Sequence, residues 1–201
     1  MRTPDPIAPL LRALSRPAAQ SSDFDLNRDF VPPADTPLLR PAAVLVGVHP
    51  SDRGAELVLT KRSSRLRHHP GQIAFPGGKL DQGDAGPVDA ALREAREEIG
   101  LDPANVEVLG ELPFHDTVTN FRVTPILARI HSDFPVVPEA GEVAEVFRVP
   151  LAHVADPARF RVESRLWRGQ RRFYYVVPYG PYYIWGATAR ILYGLARRMA
   201  E

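Results

Sequence analysis

Arg93-Glu94-Ala95-Arg96-Glu97-Glu98-Ile99-Gly100-Leu101 sets three carboxylates at i, i+3 and i+4 of a helix-forming run. Taking about 100° per residue with Val88 as zero, Val88, Ala91, Leu92, Ala95 and Ile99 fall within an arc of roughly 100°, the apolar stripe of a helix lying on a core. Glu97 falls at about 180°, on the far side of the helix, while Glu94 and Glu98 fall at about 240° and 280°, beside that stripe. These two therefore stand where the helix meets the body of the protein. Glu94 and Glu98 are like charges at i, i+4 and repel. Arg93 can offset part of this by reaching Glu97, and a divalent cation would offset far more, because hard ions prefer oxygen ligands.

Alone, an Arg/Glu-rich helix face is more often simply solvated. The residues before it change that reading. Glu56 to Thr60 begins as a strand, Lys61, Arg62, Arg65 and Arg67 place four cations within seven residues, and Gln72 to Phe75 forms a short apolar strand running into Phe75-Pro76-Gly77-Gly78. Guanidinium forks suit phosphate oxygens. Gly71, Gly77 and Gly78 leave room for a close backbone approach. Carboxylates for cations beside a tight, basic loop for phosphates point to metal-assisted chemistry on a diphosphate.

Gly78 through Leu101 resembles a Nudix box, the loop–helix signature of hydrolases that cleave nucleoside diphosphates linked to another moiety. Leu59, Thr60, Arg62, Ser63, Arg67, Gly71, Phe75, Pro76, Gly77 and Gly78 fall on the pattern LTxRSxxxRxxxGxxxFPGG of the coenzyme A pyrophosphatase branch. The general pattern has Glu six residues after its glycine and Arg eight after that; here the sixth residue is Asp84 and Arg93 follows nine later. The coenzyme A branch is similar in both respects, which leaves the role of Asp84 open. The resemblance implies that Arg93 orients a neighbouring glutamate. It makes Glu94, Glu97 and Glu98 ligands of Mg²⁺ or Mn²⁺, with Glu94 or Glu97 able to assist the reaction. It also implies that Arg62, Arg67, His69, Gly71, Gly77 and Gly78 meet the substrate. Nudix enzymes often draw a further acid from outside the box; among Glu139, Glu142 and Glu145 the choice is Glu142. The implied reaction is hydrolysis of coenzyme A and its thioesters to 3′,5′-ADP and 4′-phosphopantetheine or its acyl form. Alternatives are a Nudix hydrolase of ADP-ribose, NADH or another nucleoside diphosphate derivative, and a non-catalytic ligand sensor of the same fold.

Composition sets the outer bounds. The chain has 201 residues, 44% hydrophobic, enough for one domain with a sizeable core. A net charge of +1 gives no argument for nucleic-acid binding. The absence of cysteine excludes disulfides, thiolate metal sites and a cysteine nucleophile. No apolar run approaches the ~18 residues of a membrane span, and the N-terminus lacks the order of a secretory signal, so a cytoplasmic enzyme without membrane partners is expected. Oligomeric state is left open.

Residues 1–40 read as a helix, Pro4 to Leu14 with Ile7, Leu10, Leu11 and Leu14 on one face, followed by an irregular Pro- and Ser-rich arm. Residues 41–199 read as the hydrolase domain. Ala42 to Val48 and Glu56 to Thr60 are neighbouring strands; Val106 to Pro113, Phe121 to Ile130 and Glu145 to Val149 are further strands. Phe160 to Trp167 and Arg171 to Val177 form a hairpin turning at Arg168-Gly169-Gln170. Tyr182 to Trp185 is a short strand and Thr188 to Met199 a closing helix. Strands around a central helix with a terminal helix indicate α/β architecture, in agreement with the α/β/α sandwich on a mixed sheet that the resemblance implies. His68 and His69 lack further ligands at zinc spacing. The aromatic cluster Tyr174, Tyr175, Tyr179, Tyr182, Tyr183 and Trp185 is read first as packing. Ser63 has no nucleophile-elbow context.

Overall fold

Arg40–Ser51 is buried on both sides, and its alternation divides the molecule into two cores. Ala42, Val46 and Val48 enter one apolar cluster while Ala43 and Leu45 enter the other. A strand covered on both faces reads as a nearly continuous apolar run, as this one does. The computed structural model describes residues 5–27, 38–52, 54–167 and 169–201. In chain order its elements are α1 (Ala8–Leu14), β1 (Ser21–Ser22), β2 (Arg40–Ser51), β3 (Gly54–Arg62), β4 (Ile73–Ala74), β5 (Gly77–Lys79) and α2 (Pro87–Ile99). There follow β6 (Val106–Glu111), β7 (His115–Asp116), β8 (Phe121–Ile130), β9 (Val143–Pro150), α3 (Leu151–Val154), β10 (Arg161–Trp167), β11 (Gln170–Val176) and α4 (Ala187–Ala200).

A nine-stranded mixed sheet runs β1-β7-β8-β2-β3-β4, with β5 added to β2, β6 to β8 and β9 to β3. The β2–β8 ladder is parallel, from Arg40 opposite Phe121 to Val48 opposite Arg129. β2 and β3 are antiparallel, as are β3 and β9. One face carries α2, whose Ala90, Ala91, Ala95 and Ile99 pack with Ala43, Leu45, Val58, Ile126 and Ile130. The other face carries α1, α3 and α4, with Ile7, Leu10, Leu151, Leu192 and Leu195 against Val46, Leu57, Leu59 and Leu127. The architecture is the expected α/β/α sandwich. No helix among the described residues is long and apolar enough to cross a membrane.

Several local expectations change. Phe121–Ile130 is a strand as read, and β10 and β11 pair as the expected hairpin, but Gln170 faces Trp167 in the ladder instead of turning it. Arg168 lies outside the described residues, as does Pro4. Tyr182 to Trp185 is not a strand: only the single bridges Tyr179 to Tyr182 and Val176 to Trp185 form. Its aromatics are taken up by packing, with the Tyr182 ring stacked on Phe147 at 3.6 Å and Trp185 edge-on to Tyr174 at 5.1 Å. Leu11 is 47% exposed, because α1 turns Ile7, Leu10 and Ala13 inward instead. The segment after α1 is not wholly irregular. β1 pairs in parallel with β7, and beyond it Asp23 accepts from the Val118 amide at 3.0 Å and lies 3.3 Å from His115 Nε2.

Asn27 then clasps the hairpin. Its Nδ2 donates to the Asp23 and Phe173 carbonyls at 2.8 and 2.9 Å, and its Oδ1 accepts from the Phe173 amide at 2.8 Å. Asn27→Ala would leave these backbone groups without their partners, at about 1–3 kcal/mol. The expected outcome is a lowered denaturant midpoint with an unchanged m-value, together with faster proteolysis around residues 21–27.

Candidate active site at the junction of loop and helix

Residues 77–79 run antiparallel to β2, with Gly77 opposite Val44. Gly77 has φ +154, and a Cβ there would stand 2.4 Å from the Ala43 carbonyl oxygen and 2.6 Å from Val44 Cα. Only glycine lets the chain run this close to β2. The approach presents the Gly77 amide to α2, where it donates to Glu98 Oε2 at 3.1 Å. Gly78 lies directly against the next carboxylate along the helix, since a Cβ there would fall 2.3 Å from Glu94 Oε1.

The helix carrying these acids is firmly bounded. Pro87 occupies its first turn, and Gly100 closes it in the left-handed conformation, with the Leu101 amide returning to the Ala95 carbonyl. Glu98 is buried, with 5% exposure. Burial pushes its carboxyl up to about 7; Gly77 and Arg62 act against this, while the charges of Glu94 and Glu142 reinforce it. Glu94 is half-buried and raised too, first by burial, then by Glu97 and Glu142, against the opposing pull of Arg93. Glu97 is the outermost of the three, with its side chain 60% exposed.

Arg93 organises this acidic edge. Its guanidinium donates to both Asp84 oxygens at 3.0 Å, to Glu94 at 3.0 Å, to Glu97 at 3.1 Å and to the Lys79 carbonyl at 3.2 Å. The bidentate Asp84 pairing is the strong geometry for such a contact. It gives Asp84, whose role the sequence left open, the part of anchoring Arg93. Among the described residues no three acidic or histidine side chains stand close enough to enclose a metal ion as they are. The physical reason is visible: Arg93 draws Glu94 and Glu97 toward itself, and the Gly77 amide holds Glu98.

The three outside acids separate clearly. Glu139 is folded into its own turn, its carboxylate accepting from the Gly141 and Glu142 amides, and Glu145 accepts from the Tyr182 hydroxyl. Glu142 is exposed, and its charge bears on both Glu94 and Glu98. The Ser63 amide of the basic loop donates to the Glu142 carbonyl at 2.7 Å, tying the two segments together.

The basic loop divides. Arg62 stands beside Glu98 and lines a cavity of about 250 Å³ whose wall also includes Gly77, Phe75 and His69. His69 takes φ 55, and Gly71 turns with φ 70, its amide donating to the Arg62 carbonyl. Arg67 is exposed and does not line that cavity. Arg165, Arg172 and Trp185 do line it, and sequence reading did not select them as site residues. They come from the distant β10–β11 hairpin and the approach to α4, with no local signature.

Comparison with known proteins gives the chain its relatives. Residues 38–173 match the NUDIX domain family. The chain is 44% identical over 164 residues to an uncharacterized Nudix hydrolase NudL of Cronobacter sakazakii, covering 81% of this chain and 84% of that protein. It is 40% identical over 189 residues to the NudL of Pectobacterium atrosepticum, covering 89% and 96%. Among solved structures, the crystal structure of a Nudix hydrolase from M. smegmatis, RenU, is 26% identical with a TM-score of 0.50, covering 60% of this chain and 76% of that one.

The two loop glycines are expected to respond differently. Gly77→Ala forces backbone apart and should lower thermal stability substantially, by about 2 kcal/mol or more. Gly78→Ala meets only the mobile end of Glu94 and should leave the melting temperature close to wild type while displacing that carboxylate. Thermal unfolding of the two variants side by side checks this; equal losses would contradict the geometry.

Proposed function

The chain belongs to the Nudix family of hydrolases, and from this we propose that it cleaves the diphosphate of coenzyme A and its thioesters. The products would be 3′,5′-ADP and 4′-phosphopantetheine or its acyl form. The observation that carries the reading is the meeting of Arg62, Gly77 and Glu98. The basic loop that resembles the coenzyme A branch lies against the buried glutamate of the box and opens into an adjoining cavity.

The donor set suits a divalent ion. Glu94, Glu98 and Glu142 are hard oxygen donors whose charges bear on one another, and Glu98 is pushed up to about 7 by burial and by those neighbours, a conflict that a cation relieves. Glu94, Glu97 and Glu98 would hold Mg²⁺ or Mn²⁺, with Glu142 facing them. When bound, such an ion supplies Lewis-acid neutralisation of the diphosphate charge and makes water more acidic.

The chain's own residues do the rest. Asp84 holds Arg93, and Arg93 holds Glu94 and Glu97 against itself, a restraint the two carboxylates would give up in part on taking a cation. The Gly77 amide fixes one oxygen of Glu98. Arg62 would supply positive charge for a non-reacting phosphate oxygen, and the Glu142 carboxylate would be the additional group that accepts a proton at the edge of the site.

Glu98→Gln keeps the shape and the Gly77 contact but removes the charge. It should lower turnover by at least about 100-fold with thermal unfolding unimpaired; a folded variant with wild-type turnover would exclude Glu98 as a ligand. With purified protein and Mg²⁺ or Mn²⁺, chromatography should show coenzyme A converted to 3′,5′-ADP in preference to 3′-dephospho-coenzyme A, ADP-ribose and NADH. Equal or better cleavage of ADP-ribose or NADH would overturn the substrate while leaving the hydrolase chemistry.

A further inference from the structure

The cavity that begins at Arg62 and Gly77 is closed on its far side by elements remote in sequence. β10 and β11 contribute Arg165 and Arg172, the segment before α4 contributes Trp185, and α4 contributes its first turn from Gly186 to Thr188. Among the described lining residues stand three arginines and one carboxylate, Asp23, which accepts from the Val118 amide, lies against His115 and bears on Arg172.

These cations converge. Arg62, His69 and Arg165 line the same space, and after burial the charges of Arg62, His68 and Arg165 hold the His69 imidazole below its ordinary value. Arg165 also bears on Arg172, whose guanidinium is held down first by burial while Asp23 opposes. The Arg165 guanidinium lies 4.3 Å from the Trp185 ring centroid and 6.0 Å from that of Tyr174. Among the described residues it is positioned by aromatic faces rather than by a carboxylate, which leaves its N–H fork available. The first turn of α4, a 14-residue helix with no side-chain cap, opens on the same space. The Gly186 amide is spent on the Tyr175 carbonyl, and the positive dipole end of the helix beyond it favours an anion.

We infer that this cavity receives a phosphate monoester carried on the nucleoside half of the substrate, separate from the cleaved diphosphate, and that Arg165 selects for it. The inference deepens the function proposed above and rests on it for the identity of the molecule. Arg165 and the α4 amides would share the phosphate oxygens, Arg172 would add charge behind them, and Trp185 would hold Arg165 at the correct height. A nucleoside diphosphate derivative lacking that group would forgo the contact with the Arg165 fork and bind more weakly.

The test uses the whole chain and two small probes, adenosine 3′,5′-bisphosphate and 5′-AMP, titrated by calorimetry. Wild type should bind the bisphosphate at least about tenfold more tightly. Arg165 is exposed, so its variants should fold. Arg165→Ala should bring the preference to within about twofold with the 5′-AMP affinity little changed, and Arg165→Lys, which keeps charge without the fork, should restore part of it. Equal binding of the two nucleotides by wild type, or no measurable binding of either, would overturn the inference. So would an Arg165→Ala protein that keeps the full preference or loses both ligands equally. Turnover of coenzyme A by the same preparation separates the two readings. Bisphosphate preference without turnover leaves the phosphate site standing and removes coenzyme A as substrate. Turnover without the preference removes the site alone.

Discussion

The approach of Gly77 to β2 is the constraint on which the site depends. With no Cβ to hold it off, the loop lies flat against Ala43 and Val44 and turns one amide toward α2. That amide makes it possible for Glu98 to be buried, because a carboxylate taken out of water needs a donor close by. Burial in turn sets its affinity for protons and, with Glu94 and Glu142 near, creates the local excess of negative charge. Packing, hydrogen bonding and electrostatics thus follow in order from one missing methyl group.

The balance of charge around this point is uneven by design of the fold. Acidic groups gather where α2 meets the loop, and Arg93 ties together Asp84, Glu94 and Glu97. Basic groups gather across the loop, from Arg62 to Arg165 and Arg172. A molecule that carries phosphates and needs cations would meet both sides at once. Like charges held close in a partly dry environment lower the stability of the empty fold, a common condition of functional sites.

Much of this was legible in the sequence because periodicity reports directly on burial. The α2 stripe through Ala91, Ala95 and Ile99 and the strand Phe121–Ile130 are local patterns with one solution. Glu98 could be placed beside the stripe by angle alone, although not its contact with Gly77, which depends on a tertiary approach. Tyr182 to Trp185 misled because aromatic residues favour strands as strongly as they favour packing clusters, and here the stacking on Phe147 decided. Leu11 misled because a seven-residue helix has too few turns for its pattern to fix which side faces inward. Asp84 was left open because the meaning of a loop acid lies in its partner, Arg93. Arg165 and Arg172 were missed for a related reason: on a hairpin outside the main sheet they look like solvated charges, and only the fold brings them to the cavity beside Arg62.

The parallel pairing of β2 with β8 has a consequence for how the molecule comes into being. Two parallel strands cannot be joined by a tight turn, and the crossover here contains β3 to β7 together with α2. During synthesis the glutamate helix emerges from the ribosome before Ile126, Ala128 and Ile130, half of the floor on which it will rest. Its apolar stripe therefore lacks half of its partners until the chain has passed Ile130, and the central ladder then closes over a long loop. Such long-range closure is slow and leaves an interval open to aggregation. The charges of the acids and arginines flanking that stripe would oppose such association until the sheet is complete.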